Sequence, residues 1–266
     1  MAEPPAPHRR IAAFFDLDGT LIPGSANIPL AKAAFKSGFV SKRELALDLA
    51  RNVSFMLRGA SDDSSAKVRD RILRGVAGQP ASKVEAMADG FLDDLVATIT
   101  PTMRAVLDEH KAMDHELVLI SASPTEIVQR FAVAAGMDYG LGTTGERDAE
   151  GRYTGALTGP FCYKEGKAEI IRGLAVAHGY DLERSFAYSD SISDAPMLGC
   201  VGNPVAVNPD HELRHAAIEG GWRIIEVGRL RVGVQSLRRA IRSAGQAPKA
   251  AWTSGRARVT RAEPAE

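Results

Sequence analysis

Apolar residues along this chain gather in short runs, each followed by a longer stretch with helical spacing. The short runs are 11–16 (IAAFFD), 117–121 (LVLIS), 186–190 (FAYSD) and 204–207 (PVAV), and each ends at a polar or turn residue. Runs apolar on both faces belong to a parallel sheet that helices cover on both sides. Between them the periodicity predicts helices over 101–114, 125–135, 167–178 and 194–199. Thr100-Pro101 and Ser123-Pro124 mark two of the starts, because the first helical turn leaves its N–H groups unsatisfied and proline has none to lose. The pattern predicts an α/β fold built on a doubly wound parallel sheet.

One stretch breaks the rhythm. From residue 22 to 99 no strand pattern is convincing, and the spacing reads as helices over 28–37, 42–57, 64–73 and 81–97. A crossover between parallel strands needs only about a dozen residues, so the surplus reads as a helical insertion after the first strand. The expected organisation is therefore 1–21 as the start of the core, 22–100 as a helical cap and 101–228 as the rest of the core. Within the core, Gly-punctuated Thr/Tyr segments in 139–159 flank 148–151 and predict a β-hairpin. Beyond it, 229–243 sets Arg231, Arg238, Arg239 and Arg242 beside Leu230, Val234, Leu237 and Ile241. Such a basic amphipathic helix can touch anionic lipid or, more plainly, pack on the sheet with its arginines in water. The tail, 244–266, is rich in Ala, Arg, Pro and Ser and is expected to be disordered.

Composition narrows the field. A chain of 266 residues suffices for one large domain or for a core with a smaller insertion. Lys plus Arg and Asp plus Glu stand at 33 each, so no global field favours nucleic acid as a partner. Cys162 and Cys200, with no CxxC spacing, suggest neither a disulfide framework nor a zinc knuckle. Residues 1–10 lack an apolar segment, and no stretch approaches the roughly 18 apolar residues of a membrane span. A cytoplasmic, soluble protein is expected.

The candidate chemistry concentrates in 14–20, Phe-Phe-Asp-Leu-Asp-Gly-Thr. Asp16 and Asp18 stand where an apolar strand runs out, and residues i and i+2 of an extended chain point to the same face. Both would enter the crevice beyond the strand's carboxyl end, where open α/β sheets bind ligands. Carboxylates that close repel, so a cation, a shared proton or both must compensate. Gly19 allows a sharp turn, and Thr20 offers a hydroxyl and an N–H to an anion. A second acidic pair lies in 189–196 (SDSISDAP): Asp190 ends a strand, Asp194 starts a Pro-marked helix, and i, i+4 spacing can bring them to one point. If the two strands are neighbours, three or four carboxylates share one crevice, a hard oxygen set suited to Mg²⁺ with room left for a phosphate oxygen. Ser121 and Ser123 after LVLIS, and Lys167 near a helix start, add the hydroxyls and the ammonium that orient a phosphoryl group and neutralise its charge. Singly, each has a plainer reading: Asp194 or Ser121 as a cap, Lys167 as a solvated first-turn lysine. Their joint order along the chain is what outweighs coincidence.

In these residues the sequence resembles the haloacid dehalogenase superfamily of aspartate-dependent phosphohydrolases. Asp16-Leu17-Asp18-Gly19-Thr20 is similar to the first motif, Ser121 to the second, Lys167 to the third, and Asp190 with Asp194 to the fourth. The likeness spans 11–227 and is nearest to the phosphoserine-phosphatase-like branch, subfamily IB, through Glu165-Gly166-Lys167-Ala168 and 189–197 (SDSISDAPM). It implies a Rossmann-like core with a helical C1-type cap after strand 1, and a phosphomonoesterase that acts on a small-molecule phosphomonoester. It further implies that Asp16 attacks phosphorus and forms an aspartyl-phosphate, while Asp18 protonates the leaving group and later activates water. Mg²⁺ would be held by Asp16, the Asp18 carbonyl and Asp190. Ser121 and Lys167 would hold phosphoryl oxygens, with Asp194 orienting Lys167 or a metal-bound water, and Lys164 is the alternative lysine. Phosphoserine is the best single substrate guess, although 21–29 carries no acid where phosphoserine phosphatases place a glutamate, and Ala122 and Ser123 stand where they carry glycines. Arg69, Arg71 and Arg74 in the cap are candidates to meet a substrate carboxylate or a second phosphate.

Other classes remain open at this point. His211-Glu212-Leu213-Arg214-His215 matches the HExxH zinc-peptidase pattern, but Asn208-Pro209-Asp210 and Gly220-Gly221 bound it as a short surface helix. A phosphotransferase on the same fold would hand the phosphoryl group to an acceptor other than water. A dehalogenase would not need Asp18, and a silent binding module would not need the complete acid, serine and lysine set.

Overall fold

The computed structural model describes residues 10–26, 70, 73 and 76–227. Strands β1 (Ala12–Phe15), β2 (Glu116–Pro124), β3 (Tyr139–Thr143), β6 (Phe186–Ser189), β7 (Asn203–Val207) and β8 (Arg223–Ile225) form a parallel sheet in the order β3-β2-β1-β6-β7-β8. From β1 the chain steps outward to β3, then returns to the other side of β1 and steps outward again to β8. The reversal places a topological switch point between β1 and β6, where sheets of this kind form their ligand crevice.

Strand β1 alternates between two cores. Ala13 and Phe15, with Leu117 and Leu119 of β2, pack under α3 (Pro101–Ala112) and α4 (Thr125–Ala135) through Met103, Leu107, Ile127 and Phe131. Ala12 and Phe14, with Val118 and Ile120, pack against α5 (Glu165–His178), α6 (Ala195–Leu198) and α7 (His211–Glu219) through Ile171, Met197, Leu198 and Leu213. Every residue of β1 is fully buried. Each large apolar side chain buried in this way contributes about 1.5–3 kcal/mol, so whatever follows Phe15 hangs from the most firmly held strand.

The helices predicted over 101–114, 125–135 and 167–178 are present as α3, α4 and α5. The Thr100 side chain caps α3, accepting from the Met103 N–H at 3.3 Å, with Pro101 in the first turn. The stretch 81–97, expected as one helix, is two: α1 (Ala81–Asp89) and α2 (Leu92–Ala97). Gly90, a poor helix residue, falls at the break, which lets Phe91, Leu92 and Leu95 turn into the core that also holds Ala88 of α1 and Phe15. The segment 139–159 also departs from expectation. Tyr139–Thr143 is an edge strand of the main sheet, and the hairpin is the separate ribbon of β4 (Gly145–Arg147) and β5 (Tyr153–Leu157). Gly140 and Gly142 explain the difference, because a Cβ on either would collide with the backbone of 123–129. Strand β8 was not expected; three residues are too few to show a period.

The hairpin is sewn to the segment just ahead of α1. Gly78 N–H donates to the Tyr153 carbonyl at 2.7 Å, Tyr153 N–H to that of Gln79 at 3.0 Å, and Ala81 N–H to that of Gly151 at 3.0 Å. Of the expected insertion, the helices over 28–37 and 42–57 and most of 64–73 lie outside the described residues, as do 229–243 and 244–266. Among the described residues, no helix is long and apolar enough to cross a membrane.

Candidate active site

Asp16 is the first residue beyond β1, and its N–H donates to the carbonyl of Tyr188 in β6 at 3.0 Å. That bond sets its carboxylate at the switch point. The chain then turns at once: Leu21 and Ile22 N–H groups donate back to the Leu17 carbonyl at 3.1 and 3.2 Å. Asp18 makes an isolated β-bridge with Ile22 there. It lies within the turn and accepts from the Ala26 N–H at 2.6 Å. Gly19 adopts φ +75°, and a Cβ there would overlap the Asp190 carboxylate. Glycine thus serves both the turn and the approach of β6's end to β1's end.

Three elements complete the crevice. Lys167, in the first turn of α5, is 3% exposed and donates to Asp16 Oδ1 at 2.6 Å and Asp194 Oδ2 at 2.7 Å. Asp194 closes a 3₁₀ turn (Ile192–Asp194) after β6 and also accepts from the Ser189 hydroxyl at 2.7 Å. Thr20 Oγ1 lies 3.3 Å from Asp16 Oδ2 and 3.4 Å from Asp190 Oδ1, so these two carboxylates converge on one hydroxyl. Ser121 and Ser123 are buried at the end of β2, and Ser121 Oγ accepts from the Ser123 N–H at 3.2 Å. With Phe15 paired to Leu119, the parallel register sets Asp16 level with the residue just before Ser121.

Electrostatics follow from burial. Desolvation pushes the Asp16 carboxyl up to about 8; Asp194 and Asp18 reinforce this, and Lys167 opposes it. Burial likewise raises Asp190 to about 7 and raises Asp18. For Lys167 burial works against the charge, but Asp16 and Asp194 outweigh it and hold the ammonium protonated. Among the described residues meeting here, Asp16, Asp18, Asp190 and Asp194 face one ammonium, and Asp194 Oδ1 is buried without a hydrogen-bond partner. The crevice is short of positive charge.

The carboxylates do not meet at a single point as the spacing suggested. Among the described residues, no three His, Cys, Asp or Glu side chains converge as a metal cluster. Asp194 accepts from Lys167 and Ser189, Asp18 from the Ala26 N–H, Asp16 from Lys167 and Thr20, and Asp190 from Thr20. Two carboxylates beside a charge deficit still fit Mg²⁺, which is held by one or two carboxylates and completes its shell with water and phosphate oxygens.

Several expectations resolve. Lys167, not Lys164, reaches the acids; Lys164 precedes α5 with φ +50° and its ammonium over the Tyr163 ring. His211, Glu212 and His215 are exposed on α7, whose buried face is Leu213 and Ala217, so the HExxH pattern is a surface helix. Arg69, Arg71 and Arg74 lie outside the described residues. Ser189 and Asp210 were not singled out for roles here. Ser189 was visible as the polar residue directly before Asp190, whereas Asp210 read only as a helix start.

The chain matches the family model described as haloacid dehalogenase-like hydrolase over residues 13–199. It belongs to that family and is a hydrolase. A probable phosphatase of Mycobacterium tuberculosis is 37% identical over 84% of this chain and 78% of that protein. A phosphoserine phosphatase of the same organism is 34% identical over 80% of this chain and 70% of its own length. A solved structure of a protein of unknown function from Bordetella pertussis superposes with TM-score 0.71 at 27% identity, covering 82% of this chain and 99% of that one.

Proposed function

We propose that the chain is a Mg²⁺-dependent phosphomonoesterase that uses Asp16 as a covalent nucleophile. The observation that carries the reading is Lys167 bonded at once to Asp16 and Asp194, beside the Asp16–Thr20–Asp190 convergence. An ammonium fixed against a buried carboxylate at the switch point can guide a phosphoryl group onto that carboxylate. The relatives named as phosphatases support the same reading.

The chemistry then runs in two displacements. Asp16 attacks phosphorus, the ester P–O bond breaks, and the leaving alkoxide takes a proton from Asp18, whose burial favours the protonated form. Asp18 next takes a proton from water, which attacks the aspartyl-phosphate and releases inorganic phosphate, restoring both acids. Lys167 and the Ser121 hydroxyl hold phosphoryl oxygens, and Asp194 with Ser189 keeps the Lys167 ammonium in place. A Mg²⁺ ion would be held by Asp16, the Asp18 carbonyl and Asp190, and would screen the nucleophile from the phosphate's charge.

Of the expected cap, α1 and α2 pack on the core through Ala88, Phe91, Leu92 and Leu95. Phosphoserine is the leading substrate, since two relatives are named for it. Transfer to an acceptor other than water is the second reading. The test is phosphate release from a panel of phosphomonoesters, phosphoserine among them, with Mg²⁺ and with EDTA, for wild type and Asp16→Asn. Metal-dependent release that Asp16→Asn abolishes, with unchanged circular dichroism, is expected. Normal turnover by that variant would sink the mechanism, and release unaffected by EDTA would sink the metal.

A further inference from the structure

Asp190 sits on a loop, not on a strand, and something must hold that loop. Its carboxylate has a long contact from Thr20, 3.4 Å, and a bond from its own N–H, and the residues that follow make a single 3₁₀ turn. The restraint comes from Asp210, twenty positions on, which closes three hydrogen bonds. Its N–H donates to the Asp190 carbonyl at 2.8 Å. Its Oδ2 accepts from the Ile192 N–H at 2.9 Å, and its Oδ1 accepts from the Leu213 N–H at 2.8 Å. The last of these is an ordinary helix cap on α7; the other two belong to the Asp190 loop.

Asp210 is itself fixed from behind. Asn208, at φ +43°, donates its N–H to the Ile225 carbonyl and accepts from the Val227 N–H through Oδ1, both at 2.8 Å. The turn 208–210 is thereby tied to β8, and the Asp190 loop is tied to the turn. We infer that Asp210 is a positioning residue for Asp190, clamping residues 190–192 from both ends so that the carboxylate keeps the place in which it binds Mg²⁺. The inference rests on the reading of Asp190 as a metal ligand. Groups that orient a ligand in this way commonly carry tenfold or more of the metal affinity.

Asp210→Ser separates the two duties. Serine caps a helix about as well as aspartate, so Leu213 keeps an acceptor, but one short hydroxyl cannot also serve Ile192. Titration calorimetry of metal-free protein with Mg²⁺ should show a dissociation constant raised about tenfold. The Mg²⁺ concentration for half-maximal phosphate release should rise in parallel, with the KM for the ester little changed. Asp210→Asn keeps the side-chain length but only one acceptor oxygen, and should fall between wild type and serine. If wild type binds Mg²⁺ and both variants bind it equally well, the inference is overturned while the hydrolase reading stands. A lowered melting temperature with unchanged Mg²⁺ affinity would make Asp210 a helix cap alone, and overturn it too. If wild type itself neither binds Mg²⁺ nor needs it, the reading beneath the inference fails first.

Discussion

Behind the crevice, on the far side of Phe15, a buried pair of histidines makes stability depend on pH in a calculable way. His110 of α3 is fully buried, with Nδ1 2.8 Å from His115 Nδ1 and Nε2 2.7 Å from the Tyr188 hydroxyl. Burial lowers His110 to about 3, helped by His115, and lowers His115 to about 4, helped by Arg184 and opposed by Asp114. Both rings are therefore neutral in the folded state at pH 5, whereas in the unfolded chain each titrates near 6.5. The sign follows: below pH 6.5 the unfolded state binds protons that the native state refuses, so the pair's contribution is full above 6.5 and drains as pH falls toward 4. Two protons give a slope of about 2.7 kcal/mol per pH unit, and from pH 8 to pH 5 the loss is about 2 kcal/mol per ring, or about 4 in all. The raised acids Asp16 and Asp190 titrate in the opposite sense, so the quantity to read is the difference between wild type and a double variant. His110→Gln with His115→Gln keeps hydrogen-bonding atoms without a titrating ring. Urea unfolding, followed by circular dichroism at pH 8, 7, 6 and 5, should show the variant less stable at pH 8. The gap should shrink by about 4 kcal/mol by pH 5. A gap that stays constant over that range would refute the neutral, buried pair.

Three further outcomes follow from the crevice. Asp18→Asn should lower turnover of alkyl phosphates by about 10²–10⁴-fold and of nitrophenyl phosphate much less, since nitrophenolate leaves without a proton; equal losses on both would remove Asp18 as the acid. Lys167→Met leaves Asp16 and Asp194 facing each other and should cost about 3 kcal/mol or more at pH 8. Chemical unfolding at pH 8 that gave equal stability for the variant and the wild type would count against the pairing. Gly19→Ala places a methyl against the Asp190 carboxylate at a positive φ, and should cost about 1–3 kcal/mol together with most of the phosphate release; an unaltered melting temperature and rate would refute the close approach.

The sheet was legible because its strands are buried on both faces, so 11–16 and 117–121 stand out as apolar runs whatever their neighbours. The site was legible for a related reason: Asp16, Ser121 and Asp190 each sit where such a run stops. What the sequence did not show is which partner each side chain chooses. Asp18 shares a spacing with Asp16, but its bond from the Ala26 N–H depends on the turn that Gly19 opens. Asp194 shares a spacing with Asp190 but is drawn off by Lys167, a contact across 27 positions that no local pattern encodes. Strand β3 was expected as part of the hairpin arm because glycines punctuate the whole of 139–159, when the use of Gly140 and Gly142 is to let α4 lie close against the strand.

The ribbon joining 77–81 to Tyr153 and Gly151 has a consequence for the architecture as a building kit. The segment 78–81, ahead of α1, and the hairpin that follows β3 are stitched together backbone to backbone. Backbone stitching is indifferent to most side chains, but Gly78 turns at φ +76°, which favours glycine, so the docking strip holds only where residues 77–81 keep that turn. A foreign segment spliced in after Ala26 and rejoined ahead of Leu73 would inherit the same mooring, with Asp16, Lys167 and Asp190 untouched.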